Sequence, residues 1–522
     1  MIRKIAYGVS ALVFVFAVVS VGTPESPTSD DCSEYVNANE VLMFVSNSGS
    51  IGCDVADVFG RNYGTYYPYT TVENIQNGTD ILSPLYGAGL WLGGKVGGEK
   101  RVTVAEYDAE YTPGPMSGGT FVADAYTNPD YRVYKLHADS GSANPNTDYT
   151  EWPAGQGAPV DGLGDPLYLC DQTLWTVYND ADTARHTASA GGTDPLGIEV
   201  HQTVWASDDP GSERVIYVRY KLYNKGGNSI TDFYIGFWMD PDIGWREDDC
   251  SGCDTVNDLF FNYNADNDDG DYGAAPPAFG ARLIHGPLVP SANDTAVFNG
   301  AEIPDFKNLR LTSVVSYVNG TDPGSADQSY NCLGGLLPSG DILPLGLRFS
   351  FPGDPVAGTG ALDTNLTDKK IVGASGPLTF NPGDSQYVMI KLAVGQGGTN
   401  LGSVTNMKQL LTAPDSIITD VPGDPHPALP HGYALYQNYP NPFNPSTLIR
   451  YATPTRGEVN IAVFNVLGQR VRTLAAGVQS AGEQEVVWDA TDDHGKPVPS
   501  GVYLYRARLG NYTASRKMLL LK

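Results

Sequence analysis

The sequence predicts a mainly β protein built of sandwiches, and three observations carry that expectation. Short apolar runs recur with period two. Turn formers are abundant, with 60 Gly and 37 Pro in 522 residues. Tyrosines (31) outnumber phenylalanines (17), while charged residues make up only 17% of the chain. Aromatic and β-branched side chains suit a pleated, half-buried surface, whereas helices want the Lys and Glu that are scarce here. Hydrophobic residues reach 41%, enough for packed cores rather than disorder, and the length fits about two to four domains.

Charge narrows the partners. Lys plus Arg is 32 against 59 Asp plus Glu, a formal net charge of −27. Such a surface repels a phosphate backbone, so nucleic acid is excluded as a partner. An acidic excess keeps an exported protein soluble and also offers oxygen ligands to hard cations.

The N-terminus reads as a signal peptide over residues 1–22. Arg3 and Lys4 form the positive region, Ala11 to Val21 the apolar core, and Ser20 and Gly22 the small residues before cleavage. The apolar run is too short to span a bilayer. Cys32 lies behind Asp30 and Asp31, away from the cleavage point, which argues against a lipid anchor. Six cysteines remain after cleavage: Cys32, Cys53, Cys170, Cys250, Cys253 and Cys332. In an exported chain an even number predicts disulfides, with the pairing left open. Cys250-Ser-Gly-Cys253 has redox or zinc spacing, but no second pair or nearby His completes a zinc site, and no βαβ setting surrounds it. A structural disulfide within or from this loop is the expectation.

Residues 32–411 are read as a central β-rich region of one or two sandwich domains. Ile198 to Val204 alternates as a half-buried strand. In Arg214 to Tyr223, Ile216, Val218, Tyr220 and Leu222 share one face, and Arg219 and Lys221 the other. The turn Asn224-Lys-Gly-Gly-Asn228 and the run Thr231 to Met239 then predict a β-hairpin. Arg101–Tyr107, Tyr131–His137, Leu309–Tyr317, Leu345–Phe351 and Gln386–Val394 are further strand candidates. The glycines from Gly87 to Gly98 precede no helix and read as turns rather than a phosphate-binding loop. Ser403 to Leu411 is the one convincing helix, with Ser403 as its N-cap. Residues 412–432, with Pro414, Pro422, Pro425, Pro427 and Pro430, read as an extended linker.

Residues 433–522 carry six or seven short strand patterns, with Trp488 as a core anchor: a small immunoglobulin-like sandwich. Four motifs occur there in order. They are Tyr439-Pro440-Asn441-Pro442-Phe443-Asn444-Pro445, Val463-Phe-Asn-Val-Leu-Gly-Gln-Arg470, Pro499-Ser-Gly501-Val502-Tyr503, and Lys517-Met-Leu-Leu-Leu-Lys522. Together they resemble the C-terminal sorting domain of type IX secretion substrates, and the region is similar to the immunoglobulin-like domain of flagellar hook-capping proteins. The resemblance implies export to the periplasm and recognition by an outer-membrane translocon and its sorting machinery. It also implies a final place at the cell surface, on a surface glycolipid, or outside the cell.

The densest acidic cluster is Asp240-Pro-Asp242-Ile-Gly-Trp-Arg-Glu-Asp248-Asp249, followed by Asp254 and then Asn264-Ala-Asp266-Asn-Asp268-Asp-Gly-Asp271. Such loops supply the carboxylate, amide and carbonyl oxygens that calcium takes, so Asp240, Asp242, Asp248, Asp249, Asp254, Asn264, Asp266 and Asp268 are the candidate Ca2+ ligands. The glycine at Gly270 falls one place late for an EF-hand, and position twelve is Ala275 rather than Glu. Solvated acidic turns are the competing reading. Trp91, Trp152, Trp175, Trp205, Trp238, Trp245, Tyr66, Tyr67 and Tyr69 are candidate stacking faces for sugars, with core filling the competing role. No catalytic motif is present in the sequence: neither His-Glu-x-x-His nor Gly-x-Ser-x-Gly occurs, and the seven histidines are scattered. The expectation is a secreted or cell-surface non-enzymatic protein for adhesion, matrix or glycan binding. The alternative is a secreted hydrolase acting on polysaccharide or protein, since two carboxylates suffice for glycoside hydrolysis.

Overall fold

The computed structural model describes residues 33–52, 64–70, 72–77, 82–107, 109–138, 146–161, 163–298, 301–414, 434–435, 438, 440–453, 457–479, 482–509 and 512–521. The expected signal peptide, Cys32, Cys53, nearly all of the expected linker and Tyr439 lie outside them.

In the central region the strands used below are β1 (Gly87–Val96), β2 (Glu99–Thr103), β3 (Ile198–Ala206), β4 (Val215–Asn224), β5 (Ile230–Asp240), β6 (Asp249–Asp254), β7 (Leu259–Asn264), β8 (Lys369–Phe380) and β9 (Ser385–Gly395). The helices used below are α1 (Ala326–Leu333) and α2 (Asn400–Thr412). The strands form two nine-stranded antiparallel sheets. The first runs Ser33–Val36, Leu42–Ser46, Ser50–Ile51, β1, β5, β8 and Ser313–Val318, with β2 on β1 and Thr65–Tyr66 on Leu42–Ser46. The second runs Tyr134–His137, Gln172–Asn179, β3, β4, β9, Ala278–His285, β7 and β6, with Thr112–Pro113 on Gln172–Asn179. Leu90, Ile235, Phe237 and Ile371 of the first sheet share one core with Val204, Val218, Tyr220 and Ile390 of the second. The Tyr220 and Phe237 rings meet across it at 6.4 Å. This is the mainly β, sandwich-type architecture that the period-two runs predict.

The expected hairpin between β4 and β5 does not form. β4 pairs with β3 and β9, and β5 with β1 and β8, so the Lys225–Ser229 turn carries the chain from one sheet to the other. A second crossing, between β8 and β9, lies beside it. Asn224 joins the two: its side-chain amide donates to the Phe380 carbonyl (2.8 Å), its N–H donates to the Asp384 carbonyl (3.0 Å), and its carbonyl accepts from the Gly383 N–H (2.8 Å). Alternation identifies the faces of a strand but not its neighbour, and turn glycines permit a crossing as readily as a hairpin.

Both sheets are covered on their outer faces, which explains strands buried from end to end. Tyr330 and Leu333 of α1 pack with Trp91, Trp238 and Tyr317 of the first sheet. Val404, Met407 and Leu411 of α2 pack with Phe261 and Met389 of the second. Arg219 and Lys221, read as the outward face of β4, are only 5% and 8% exposed. The helix begins earlier than expected: Thr399 is the N-cap, accepting from the Gly402 N–H at 2.9 Å, and Ser403 is buried inside.

Several local readings need correction. Most glycines of Gly87–Gly98 lie inside β1 rather than in turns, because the neighbours come too close for side chains. A Cβ on Gly89 would stand 2.3 Å from the Ala105 carbonyl, and one on Gly94 2.3 Å from Ile230. Leu345–Phe351 is not a strand; Pro344–Gly346 is a short 3-10 turn and Phe351 has φ +49°. Arg101–Tyr107, Tyr131–His137 and Leu309–Tyr317 shorten to β2, Tyr134–His137 and Ser313–Val318, where pairing partners exist.

The loop disulfide expected at Cys250 and Cys253 is absent. Both residues belong to strand β6, and their thiols reach different acceptors, the Asp363 carbonyl at 3.8 Å and the Ser350 carbonyl at 3.1 Å. Three positions apart on a strand, two side chains point to opposite faces, so the sulfurs diverge. Cys170, Cys250, Cys253 and Cys332 are all free thiols.

The C-terminal region is a second sandwich. Ala434–Leu435, Thr447–Thr453 and Gly482–Trp488 form one sheet; Arg470–Gln479, Gly457–Phe464, Gly501–Leu509 and Tyr512–Leu520 form the other. Trp488 is fully buried in its core, 5.1 Å from the Tyr503 ring and 5.6 Å from Phe443. Within the Pro-Asn-Pro run only Phe443 is buried, and its N–H donates to the Leu519 carbonyl at 3.0 Å. Pro440, Asn441, Pro442, Asn444 and Pro445 are exposed. Gly501 and Val502 are half-buried, and Lys517 is exposed.

Candidate functional site

The antiparallel pairing of β5 with β8 assembles an acidic centre. β5 ends at Asp240, Asp368 immediately precedes β8, and Asp242 follows one proline later. Carboxylate oxygens of Asp240, Asp242 and Asp368 lie within 4.8 Å of one another. Asp240 and Asp368 are buried and Asp242 half-buried. Each keeps one buried oxygen, Oδ1, with no hydrogen-bond partner among the described residues. Two of the other oxygens are held: the Tyr107 hydroxyl donates to Asp240 Oδ2, and Asn319 Nδ2 (2.7 Å) and Arg246 Nε (3.1 Å) meet Asp368 Oδ2. Lys370 stands nearby, paired with Asp322 at 2.5 Å.

Burial raises the Asp240 and Asp242 carboxyls well above the usual carboxylate range, and for Asp242 the neighbouring Asp240 and Asp368 add to it. Burial likewise pushes Glu106 up to about 8, against the pull of Lys370. In each case a charged carboxylate in a poorly solvated place is being penalised.

The other expected calcium ligands go elsewhere. Asn264 bridges Asp248 (2.9 Å) and Asp269 (3.3 Å) through its side-chain amide. Asp269, which was not on the expected set, accepts from the N–H groups of Trp245, Asp271 and Tyr272. A Cβ on Gly244 would stand 2.0 Å from Asp269 Oδ1, so glycine lets the loops meet there. Asp249 is fully buried, accepts from the Ile243 N–H at 3.0 Å, and keeps Oδ1 unpartnered. Asn264 and Asp266 close turns on the N–H groups of Asp266 and Asp268, and Asp254 closes a turn on Val256 and Asn257. These are self-capped turns rather than ligands aimed at one point. Of the eight sequence candidates, Asp240 and Asp242 enter the three-carboxylate centre. The third member, Asp368, sits in a stretch that reads as ordinary surface charge.

A cleft of about 950 Å3 adjoins the centre, and Asp242 lies in its wall with Tyr69, Thr70, Tyr86, Arg246 and Asp271. The aromatic candidates separate sharply. Trp91, Trp152, Trp175, Trp205, Trp238, Tyr66 and Tyr67 are buried, whereas Tyr69 is 45% and Trp245 57% exposed. Tyr69 lines the cleft, and Trp245 stands between Gly244 and Arg246, which both line it.

Comparison with known proteins places one region. Residues 445–511 match the family described as the FlgD Ig-like domain. No curated protein matches the chain. Among solved structures, a polysaccharide lyase aligns at TM-score 0.26 and 9% identity, over 94% of this chain and 46% of its own. Latent PorU of Porphyromonas gingivalis aligns at TM-score 0.15 and 10% identity, over 94% and 32%. PorZ, a surface component of the type IX secretion system of the same organism, aligns at TM-score 0.15 and 12% identity, over 96% and 61%. The chain thus spans less than two thirds of each of these structures, and superpositions this loose carry no argument about its activity.

Proposed function

We propose that this chain is an exported surface or extracellular protein whose central sandwich binds a neutral glycan in the cleft beside Asp242. The carrying observation is the exposure of Tyr69 and Trp245, of nine candidate aromatics, at that cleft and its edge. Flat aromatic faces beside carboxylates and an arginine suit sugar rings, whose C–H faces stack and whose hydroxyls donate to acids. The net charge of −27 disfavours polyanionic glycans. Export through the type IX route is supported by the ordered tail motifs and by the FlgD Ig-like match over 445–511; the tail would be the sorting domain read by the translocon.

The test is affinity electrophoresis of the full chain through gels containing xyloglucan, dextran or mannan. Retardation that falls in Trp245→Ala and Tyr69→Ala supports the reading; no retardation in any gel overturns it. A hydrolase reading rests on the clustered carboxylates with raised affinity for protons. Glycoside hydrolysis needs two carboxyls flanking the substrate, and here Asp240 and Asp368 are buried while Asp242 reaches the cleft. Release of reducing sugar from a retained polysaccharide would favour the hydrolase.

A further inference from the structure

We propose that Asp240, Asp242 and Asp368 bind a calcium ion at the wall of the cleft. The donors are all carboxylate oxygens, the ligand set of a hard cation. Oxygens within 4.8 Å of one another can share one Ca2+ at about 2.3–2.6 Å, whereas Mg2+ keeps most of its waters and commonly takes only one or two carboxylates.

A second observation points to the ligand. Asp240 is 5% and Asp368 6% exposed, yet the Oδ1 atoms of both, and of Asp242, have no hydrogen-bond partner among the described residues. A buried oxygen left unsatisfied is costly, and one cation shared by the three clustered carboxylates would offset that cost at all of them. The groups that do face the centre, Tyr107, Asn319 and Arg246, engage only Oδ2 of Asp240 and of Asp368. Charge points the same way. Asp322 and Glu106 add carboxyl groups to this neighbourhood, so carboxyls outnumber the cations of Lys370 and Arg246, and a bound cation would favour their ionised forms. Three carboxylates leave several of calcium's six to eight positions for water or for a hydroxyl entering the cleft. Ion binding at these residues stands whether or not the cleft takes a glycan.

Calorimetric titration of the metal-free full chain with calcium chloride, paired with melting curves in chelator and in millimolar calcium, tests the site. The expected result is one saturable site and a melting temperature several degrees higher with calcium. Asp368→Asn and Asp242→Asn should abolish both effects, while Asp266→Asn, in a self-capped turn, keeps them. Asp242 is half-buried, so its variant carries the test where Asp368→Asn fails to fold. Absence of binding to the wild-type chain overturns the proposal, as does undiminished binding in the Asp242 variant.

Discussion

Asp240 closes one strand and Asp368 stands just before its neighbour in the sheet, and their antiparallel pairing brings the two carboxylates into one buried cluster. Pairing of this kind is a long-range property, and the chemistry at the centre inherits it. Several consequences can be measured.

Exposed and buried tryptophans should part cleanly. Trp245→Ala should leave stability within about 0.5 kcal/mol, because its side chain is mostly in solvent. Trp238→Ala, which empties a fully buried site and removes a hydrogen bond to Tyr317 (2.8 Å), should cost about 3–5 kcal/mol. Chemical denaturation of the two variants checks this, and similar losses in both would contradict the assignment of Trp245.

Gly89→Ala should destabilise the first sheet by about 1–3 kcal/mol, since the new Cβ meets the Ala105 carbonyl at 2.3 Å. Gly98→Ser, in an open turn where nothing lies within 4 Å, is the comparison, and its cost is confined to the positive φ of +93°. Thermal melts that rank the two in the opposite order would refute the close packing.

Stability should depend on pH through Glu199. Burial opposes its ionisation, but the hydrogen bonds from His201 (2.8 Å), Lys225 (2.7 Å) and the Met116 N–H (2.5 Å) outweigh it and lower the carboxyl below its ordinary value. A lowered folded value means stabilisation that is complete above the unfolded carboxyl value and is lost as pH falls through the folded one. Glu199→Gln should therefore cost about 2 kcal/mol near neutrality, with the gap to wild type closing in acid. Urea titrations at several pH values read that gap; one that stays constant into acid would count against the network.

The four described cysteines should be unreactive in the native state. Burial pushes the thiols of Cys170 and Cys253 up to about 12 and that of Cys250 to about 11, and raises Cys332 as well. A thiol held protonated is a poor nucleophile. Alkylation without reductant, read by peptide mass spectrometry, should label all four only after denaturation. Recovery of a Cys250–Cys253 disulfide peptide would contradict the strand geometry.

Removing residues 434–522 should trap the chain in the periplasm of a host with type IX secretion, as fractionation and immunoblotting would show. Surface or medium recovery of the truncated chain would sink the sorting role.

Much of the C-terminal sandwich was legible in the sequence, because its strands are short, its turns are marked, and Trp488 has no other place to go. The strand faces of the central region were legible for the same reason: side chains alternate with period two whatever the neighbour. The site was only half legible. Asp240 and Asp242 lie in a dense acidic run, whereas Asp368 carries no local signal and Asp269 is one carboxylate among many.

By itself the sequence determined the β class, the acidic excess, the C-terminal immunoglobulin-like sandwich and the residue types available at the cleft. Those follow from composition and local periodicity. Tertiary structure alone decided that the Lys225–Ser229 turn crosses between sheets and that Cys250 and Cys253 diverge. It also decided that Tyr69 and Trp245 stay exposed while seven other aromatics fill cores. The reason is common to all three. A strand's pattern specifies which side is apolar, but which strand it meets is settled by long-range hydrogen bonding and packing that no local window contains.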